Sequence, residues 1–271
     1  MGVITFLTDL GTKDHYVASV KGFLLSQLPG VQLVDITHQV QMNNILEGSF
    51  VLKESFPHFP KGTIHLVSVA APMDFEKSYA AFKVDDQYFI GTDNGLFSMA
   101  FAGREIQGAV NLSAVYGADA QQSTLQLRDI FARAALMLAS GAQLSDLGTP
   151  LLRIYEQIAF AAGYSENVIS GNVIHSDHFG NAITNISKND FAAAVKERGF
   201  TIEMRRRMYN IRKISKAYNS VPPGDVVALF NSSGLLELAI REGSAQQLLG
   251  LKVGDVIKIL IQDDSDSTHG I

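Results

Sequence analysis

A short apolar run over residues 3–7 ends abruptly in Thr8-Asp9-Leu10-Gly11-Thr12-Lys13-Asp14, and a helical pattern then takes over until Pro29-Gly30. Strand, polar turn, helix is the repeating unit of an α/β sheet. It recurs: residues 31–36 read as a second strand, 43–56 as a helix closed by Pro57 and Pro60, and 63–69 as a third strand. Residues 80–84 and 88–91 straddle Asp85-Asp86-Gln87 as a hairpin, and 129–140 read as a helix ended by Gly141. Residues 1–155 are therefore expected to form an N-terminal α/β domain with a mostly parallel sheet and helices on both faces.

Beyond about residue 151 the texture changes. Short β-like runs at residues 168–176, 182–186, 202–208, 225–230, 235–240 and 255–261 alternate with turn residues, most clearly Val221-Pro222-Pro223-Gly224 and Ser232-Ser233-Gly234. Only residues 188–197 and 244–249 look helical in this half. The expectation is a smaller C-terminal β-barrel domain over residues 165–262, followed by a polar tail at 263–271.

Bulk properties narrow the function classes. With 271 residues, 46% hydrophobic, the chain can fill one large core or two modest ones. Net charge is −5 and no Lys/Arg stripe is present, which argues against nucleic acid or an anionic membrane as partner. The chain has no cysteine, so disulfides and thiolate metal sites are excluded. No apolar run reaches membrane-spanning length and the first residues lack a signal-peptide core, so a cytoplasmic location is expected.

The polar clusters fall at strand ends. In an α/β sheet, ligands bind outside the carboxyl ends of the strands, where one carboxylate can accept both hydroxyls of a ribose; Asp9 stands at such an end. Asp14 reads equally as a ligand contact or as a helix-capping residue. His38, closing the second strand in Asp35-Ile36-Thr37-His38, has no second His or Cys at metal-ligand spacing and reads as a structural hydrogen-bonder, so no metal is expected. Asp93-Asn94-Gly95 suits either a plain turn or a binding loop. In Asp177-His178-Phe179-Gly180-Asn181, an anion, an aromatic ring and an amide suit an ammonium group, an adenine face and an adenine edge. Ser232-Ser233-Gly234 offers hydroxyls and backbone N–H groups for a carboxylate, or is simply a hairpin turn. No Gly-rich phosphate loop, Gly-x-Ser-x-Gly elbow or His-Glu-x-x-His occurs.

Taken in order, Thr8-Asp9-Leu10-Gly11 with Asp14, Lys21-Gly22, Asp35-Ile36-Thr37-His38, Phe59-Pro60-Lys61-Gly62-Thr63, Asp93-Asn94-Gly95-Leu96, Arg128-Asp129-Ile130-Phe131-Ala132, Asp177 with Phe179-Gly180-Asn181, Thr184-Asn185 and Ser232-Ser233-Gly234 span nearly the whole chain. This set resembles the S-adenosylmethionine hydroxide adenosyltransferases, relatives of the fluorinase and chlorinase enzymes. The resemblance implies a homotrimer with an adenosyl ligand held at the subunit interface, and no cofactor besides S-adenosylmethionine as substrate or ligand. By the same resemblance Asp9 holds the ribose hydroxyls, Asp14 and Asp177 face the methionine amino group, Ser232 lies near its carboxylate, and Phe179 and Asn181 contact adenine. Asn94 and Arg241 join the substrate-binding set.

The hydrolytic members of that family carry Asp-Pro-Gly-Val-Gly-x-x-Arg and a His-Gly before Arg-Asp-Ile-Phe-Ala, and here the chain departs. Ala71-Pro72 stands at the Asp-Pro position, Ser78 or Lys77 at the Arg position, Gln126-Leu127 at the His-Gly position, and Arg241 at an adenine-contacting Asn. Three readings compete. Water displaces methionine from the ribose C5′ carbon, with Asp74 or Glu76 ordering it in place of the missing groups. Alternatively, the site binds S-adenosylmethionine or a nucleoside without turnover. Halide transfer is the third, and Asp74 opposes it by repelling an anion.

Overall fold

A computed structural model describes residues 2–70, 79–112, 123–158, 161–204 and 207–262. The chain divides into two units, Met1–Ala159 and Phe160–Ile271. In the first, β1 (Val3–Thr8) lies between β2 (Gln32–Thr37) and β3 (Ile64–Ser68), and β3 is followed across the sheet by β5 (Gln87–Thr92), β4 (Tyr79–Val84), β6 (Gln107–Asn111) and β7 (Thr149–Pro150). Successive core residues of a strand face opposite sides. Phe6, Leu66 and Ile90 join one buried cluster with Val20 and Leu24 of α1 (Tyr16–Gln27) and the helix Ala132–Ala139. Leu7, Val67 and Phe89 join the other with Leu52 of α2 (Ile45–Ser55) and Leu96 and Phe97 of α3 (Leu96–Ala100). Both faces are thus covered, which is why the strands read as unbroken apolar runs.

The sheet is mixed rather than mostly parallel. β1 pairs in parallel with β2 and β3, and β3 with β5, but β4 pairs antiparallel with β5 and β6, and β6 with β7. The reversal comes from the β4–β5 hairpin, whose turn residues Asp85 and Asp86 have φ of 48° and 63°. Paired left-handed residues match the twist of a two-residue hairpin. Strand direction leaves no mark on a run buried on both faces, so composition could not distinguish the two halves.

In the second unit every pairing is antiparallel, in the order β11 (Phe200–Glu203), β14 (Val256–Ile261), β9 (Val168–Ser176), β10 (Ala182–Ser187), β13 (Leu235–Ile240), β12 (Val226–Phe230). β8 (Gly163–Tyr164) adds to β9. Among the described residues β11 and β12 end the order without pairing to each other, so the expected β-barrel is seen as a curled antiparallel half-barrel. Its inner face packs Ile169, Val173, Ile186, Leu236, Leu238, Ile257 and Ile259 with Phe191. The expected strand at residues 202–208 ends at Glu203, and the expected tail at 263–271 lies outside the described residues.

The second core face of the first unit contains a buried histidine. His65, at 0% exposure, has Nδ1 2.7 Å from Thr5 Oγ1 and Nε2 2.7 Å from Gln87 Oε1, and its ring stacks on Phe89 at 4.7 Å. Burial pushes its pKa down from 6.5 to about 4, with the Gln87 bond opposing. An amide oxygen can only accept, so Nε2 carries the proton and Nδ1 accepts from Thr5.

Candidate substrate site

Asp9 follows the last residue of β1, at the carboxyl end of the parallel strands, half-buried. Its Oδ2 accepts the Asn43 N–H at 2.9 Å and the Ala70 N–H at 3.0 Å. Asn43 lies beyond β2 and Ala70 beyond β3, so the strands flanking β1 each send one amide to the same oxygen. Both donors are strained: Asn43 has φ 61° and Ala70 φ 50°. A left-handed alanine costs on the order of 1 kcal/mol or more, and such outliers concentrate where function over-determines the backbone. The double anchor leaves Oδ1 as the carboxylate oxygen free of described backbone contacts.

Asn94, 8% exposed, lies just past β5. Its Nδ2 donates to Val69 O at 2.9 Å and more weakly to Ala70 O at 3.4 Å, and its Oδ1 accepts the Leu96 N–H at 3.2 Å. Both ends of the amide are therefore committed to backbone. Gly95 has φ 95°, and a Cβ there would meet Gln157 at 2.6 Å, so the turn requires glycine. Asp93 is buried and its Oδ1 accepts the Tyr155 N–H at 2.8 Å. Thr92 beside it is 3% exposed, and its hydroxyl has no hydrogen-bond partner among the described residues. Asp14 is exposed, and α1 starts from His15 as its N-cap without a side-chain cap bond, so Asp14 is not the capping residue. No described hydrogen bond joins Asp14 to Asp9 or Asn94.

His38 is 4% exposed, with Nδ1 2.8 Å from Thr8 Oγ1 and Nε2 3.0 Å from Asp35 Oδ1 without the alignment of a hydrogen bond. Burial raises the Asp35 carboxyl, but the Lys21 ammonium at 2.6 Å and His38 more than offset it, leaving Asp35 below the usual carboxylate value. These contacts are structural. Arg128 pairs with its neighbour Asp129 at 2.7 and 3.0 Å on a π-helical turn, Leu127–Phe131, and Ser123 adds a 2.5 Å bond. Gln126 is buried, with Nε2 donating to Ser123 O at 2.9 Å. Asp74 and Glu76 lie outside the described residues.

In the second unit the turn from β9 to β10 is organised by Asp177. Its Oδ1 accepts the Phe179 and Asn181 N–H groups at 3.0 and 2.8 Å, and Oδ2 accepts Asn181 Nδ2 at 2.9 Å. Asn181 is 6% exposed, whereas Phe179 is 73% exposed. Gly180 between them has φ 79°, and a Cβ there would meet Ser244 Oγ at 2.1 Å. A rigid polar turn thus presents a bare phenyl ring.

One residue of this neighbourhood escaped the sequence reading. Glu237 is 2% exposed; its Oε1 accepts the Tyr218 hydroxyl at 2.7 Å and its Oε2 lies 3.3 Å from Asn231 Nδ2. Burial raises the Tyr218 phenol, and the charges of Glu237 and Asp177 raise it further. Glu237 therefore ties Tyr218 to Asn231, at the start of the loop carrying Ser232. The available signal was a single charge in the apolar strand Leu235–Ile240. Asn231 Oδ1 accepts the Ser233 and Leu235 N–H groups at 3.0 and 3.1 Å, and Asn231 O accepts Gly234 N–H at 2.9 Å. Those amides are not open for a carboxylate; the exposed Ser232 remains. Arg241 donates to Val221 O at 2.9 Å and pairs with Glu242 at 3.3 Å, which holds it on its own loop.

Comparison with known proteins follows the same division. Residues 4–148 match the N-terminal domain of the SAM hydroxide adenosyltransferases, and residues 171–258 match their C-terminal domain. An (R)-S-adenosyl-L-methionine hydrolase of Thermus thermophilus is 31% identical over 268 residues, covering 96% of this chain and 100% of the relative. A hydrolase of the same name from Methanocaldococcus jannaschii is 28% identical, with 96% of both chains covered. A fluorinase of Actinoplanes sp. is also 28% identical, covering 95% of this chain and 97% of the relative. An uncharacterised conserved protein of Thermotoga maritima superposes with a TM-score of 0.85 at 29% identity, covering 95% of this chain and 99% of that one. With both domain models matched in order, this chain belongs to the SAM hydroxide adenosyltransferase family.

Proposed function

We propose that this protein cleaves S-adenosylmethionine at the ribose C5′ carbon, with water as nucleophile, releasing adenosine and L-methionine. Near-complete coverage by relatives named as S-adenosyl-L-methionine hydrolases supports this reading. The observation that carries it into this chain's own geometry is Asp9: one carboxylate oxygen is clamped by two amides at the carboxyl end of the sheet and the other is left for a ligand. That arrangement suits a vicinal diol.

The water oxygen bonds to C5′ as the C5′–S bond breaks, and sulfur keeps the electron pair and leaves as a neutral thioether. The water gives up one proton. Because the sulfonium is already a good leaving group, the protein's work is to place a desolvated water in line behind C5′. Asp9 fixes the ribose. Asp14 and Asp177 suit the methionine ammonium, Ser232 its carboxylate, and Phe179 and Asn181 the base. Asp74 or Glu76 orders the water and takes the proton. This reading includes a cytoplasmic homotrimer with the ligand at a subunit interface; the exposed Leu152, Tyr155, Ile158 and Phe179 are apolar surface that an assembly would cover.

Binding without turnover is the second reading, and it draws on Ala71, Ser78 or Lys77, and Gln126 standing where the family's polar catalytic groups would be. Incubation with S-adenosylmethionine, followed by chromatography for adenosine and methionine, decides between them. Product formation lost in Asp9→Ala supports hydrolysis. Retained S-adenosylmethionine without products supports the binder, and neither binding nor products overturns both.

A further inference from the structure

The peptide group joining Val69 to Ala70 is held at both ends. Asn94 Nδ2 donates to its carbonyl at 2.9 Å, and its N–H donates to Asp9 Oδ2 at 3.0 Å. In a trans peptide the C=O and N–H point in opposite directions, so Asn94 and Asp9 grip a single plane from either side. Such chains are cooperative: a donor at the carbonyl strengthens the amide as a donor in turn. Ala70 meanwhile sits at φ 50°, a conformation alanine does not hold without restraint. Asn94 spends its remaining acceptor on Leu96 N–H, the first residue of α3, so its own position is set by a helix.

We propose that Asn94 is a positioning residue for ribose recognition: it orients and polarises the Val69–Ala70 peptide, which in turn fixes Asp9 with Oδ1 turned to a vicinal diol. This inference rests on the diol-binding role proposed above for Asp9, and it moves Asn94 from direct ligand contact to support of that carboxylate.

The test compares adenosine with 2′-deoxyadenosine by calorimetric titration of the full chain. Wild type is expected to prefer adenosine by roughly tenfold or more, the size of one charge-assisted hydrogen bond. Asn94→Ser keeps an acceptor near Leu96 N–H but cannot reach Val69 O, and should bring that preference below about threefold. General destabilisation would lower the competent fraction for both nucleosides alike and leave the ratio unmoved. If Asn94→Ser does not fold, NMR of the wild type gives the answer: the Ala70 amide and the Asn94 side-chain amide resonances should both shift with adenosine, and shift less with 2′-deoxyadenosine, which keeps only the 3′-hydroxyl. A full preference retained in Asn94→Ser, or an Ala70 amide indifferent to adenosine, overturns the inference alone. Wild type that neither binds adenosine nor cleaves S-adenosylmethionine overturns the proposed function and this inference with it.

Discussion

Asp9 and Asn94 lie far apart in sequence and grip opposite ends of the Val69–Ala70 peptide, at 3.0 and 2.9 Å. The carboxyl ends of β1, β3 and β5 are thereby bound into one polar frame. Each strand contributes a different kind of group: a carboxylate, a strained backbone amide and a side-chain amide. The frame accounts for why a buried Asn and a left-handed Ala are found where a packed core would favour neither.

Removing the Asp9 carboxylate should cost stability as well as ligand. Asp9→Ala strands the Asn43 and Ala70 amides, and a lost charge-assisted acceptor for two donors is worth about 2–4 kcal/mol. Urea denaturation would register the loss, and adenosine release from S-adenosylmethionine should fall by roughly a hundredfold or more. A variant with wild-type stability would mean that Asp9 does not hold the two loops.

His65 should make stability depend on pH. Its pKa is about 4 in the folded protein against 6.5 for an ordinary histidine, so between those values the unfolded chain binds the extra proton. Its contribution is full above pH 6.5 and is lost as pH falls toward 4, amounting at most to about 3 kcal/mol. Denaturation at a series of pH values should show this slope in the wild type, and His65→Gln should flatten it. An identical slope in the variant would assign the effect to other groups.

Glu237→Gln should lower the Tyr218 pKa. Burial raises that phenol first, the Glu237 carboxylate second and the Asp177 charge last, so neutralising Glu237 removes the second cause while the oxygen contact survives. Spectrophotometric titration of tyrosinate resolves the direction. An unchanged or higher value would separate Tyr218 from Glu237.

Gly180→Ala should destabilise the second unit by roughly 2–4 kcal/mol, since the new Cβ would need a left-handed backbone and would meet Ser244 Oγ at 2.1 Å. A thermal melt reports the loss. The companion Gly11→Ala, at a left-handed φ of 68° but with open space around its Cβ, should cost about 1 kcal/mol, from backbone strain alone. Equal losses would show that packing against Ser244 contributes nothing.

Much of the fold was legible. β1, β9 and β13 fall where apolar runs and turn residues place them, because burial on one or both faces writes itself into composition. The Asp85-Asp86 hairpin was readable for the same local reason. Less visible was the use made of polar residues. Asp177 and Asn181 suggested ligand groups, yet their bonds to one another show that they also build the turn that displays Phe179. Asn231 went unnoticed because its neighbours Ser232 and Ser233 carried the more conspicuous chemistry.

The sequence by itself determined the strand–turn–helix rhythm, the acidic groups at strand ends and the family, since periodicity and motif order are local properties of the chain. Only the tertiary structure decided the sheet's mixed direction, the burial of Glu237 and His65, and the joining of Asp9 to Asn94 through one peptide. Those depend on which distant segments become neighbours, and hydrogen bonds act only over about 3 Å.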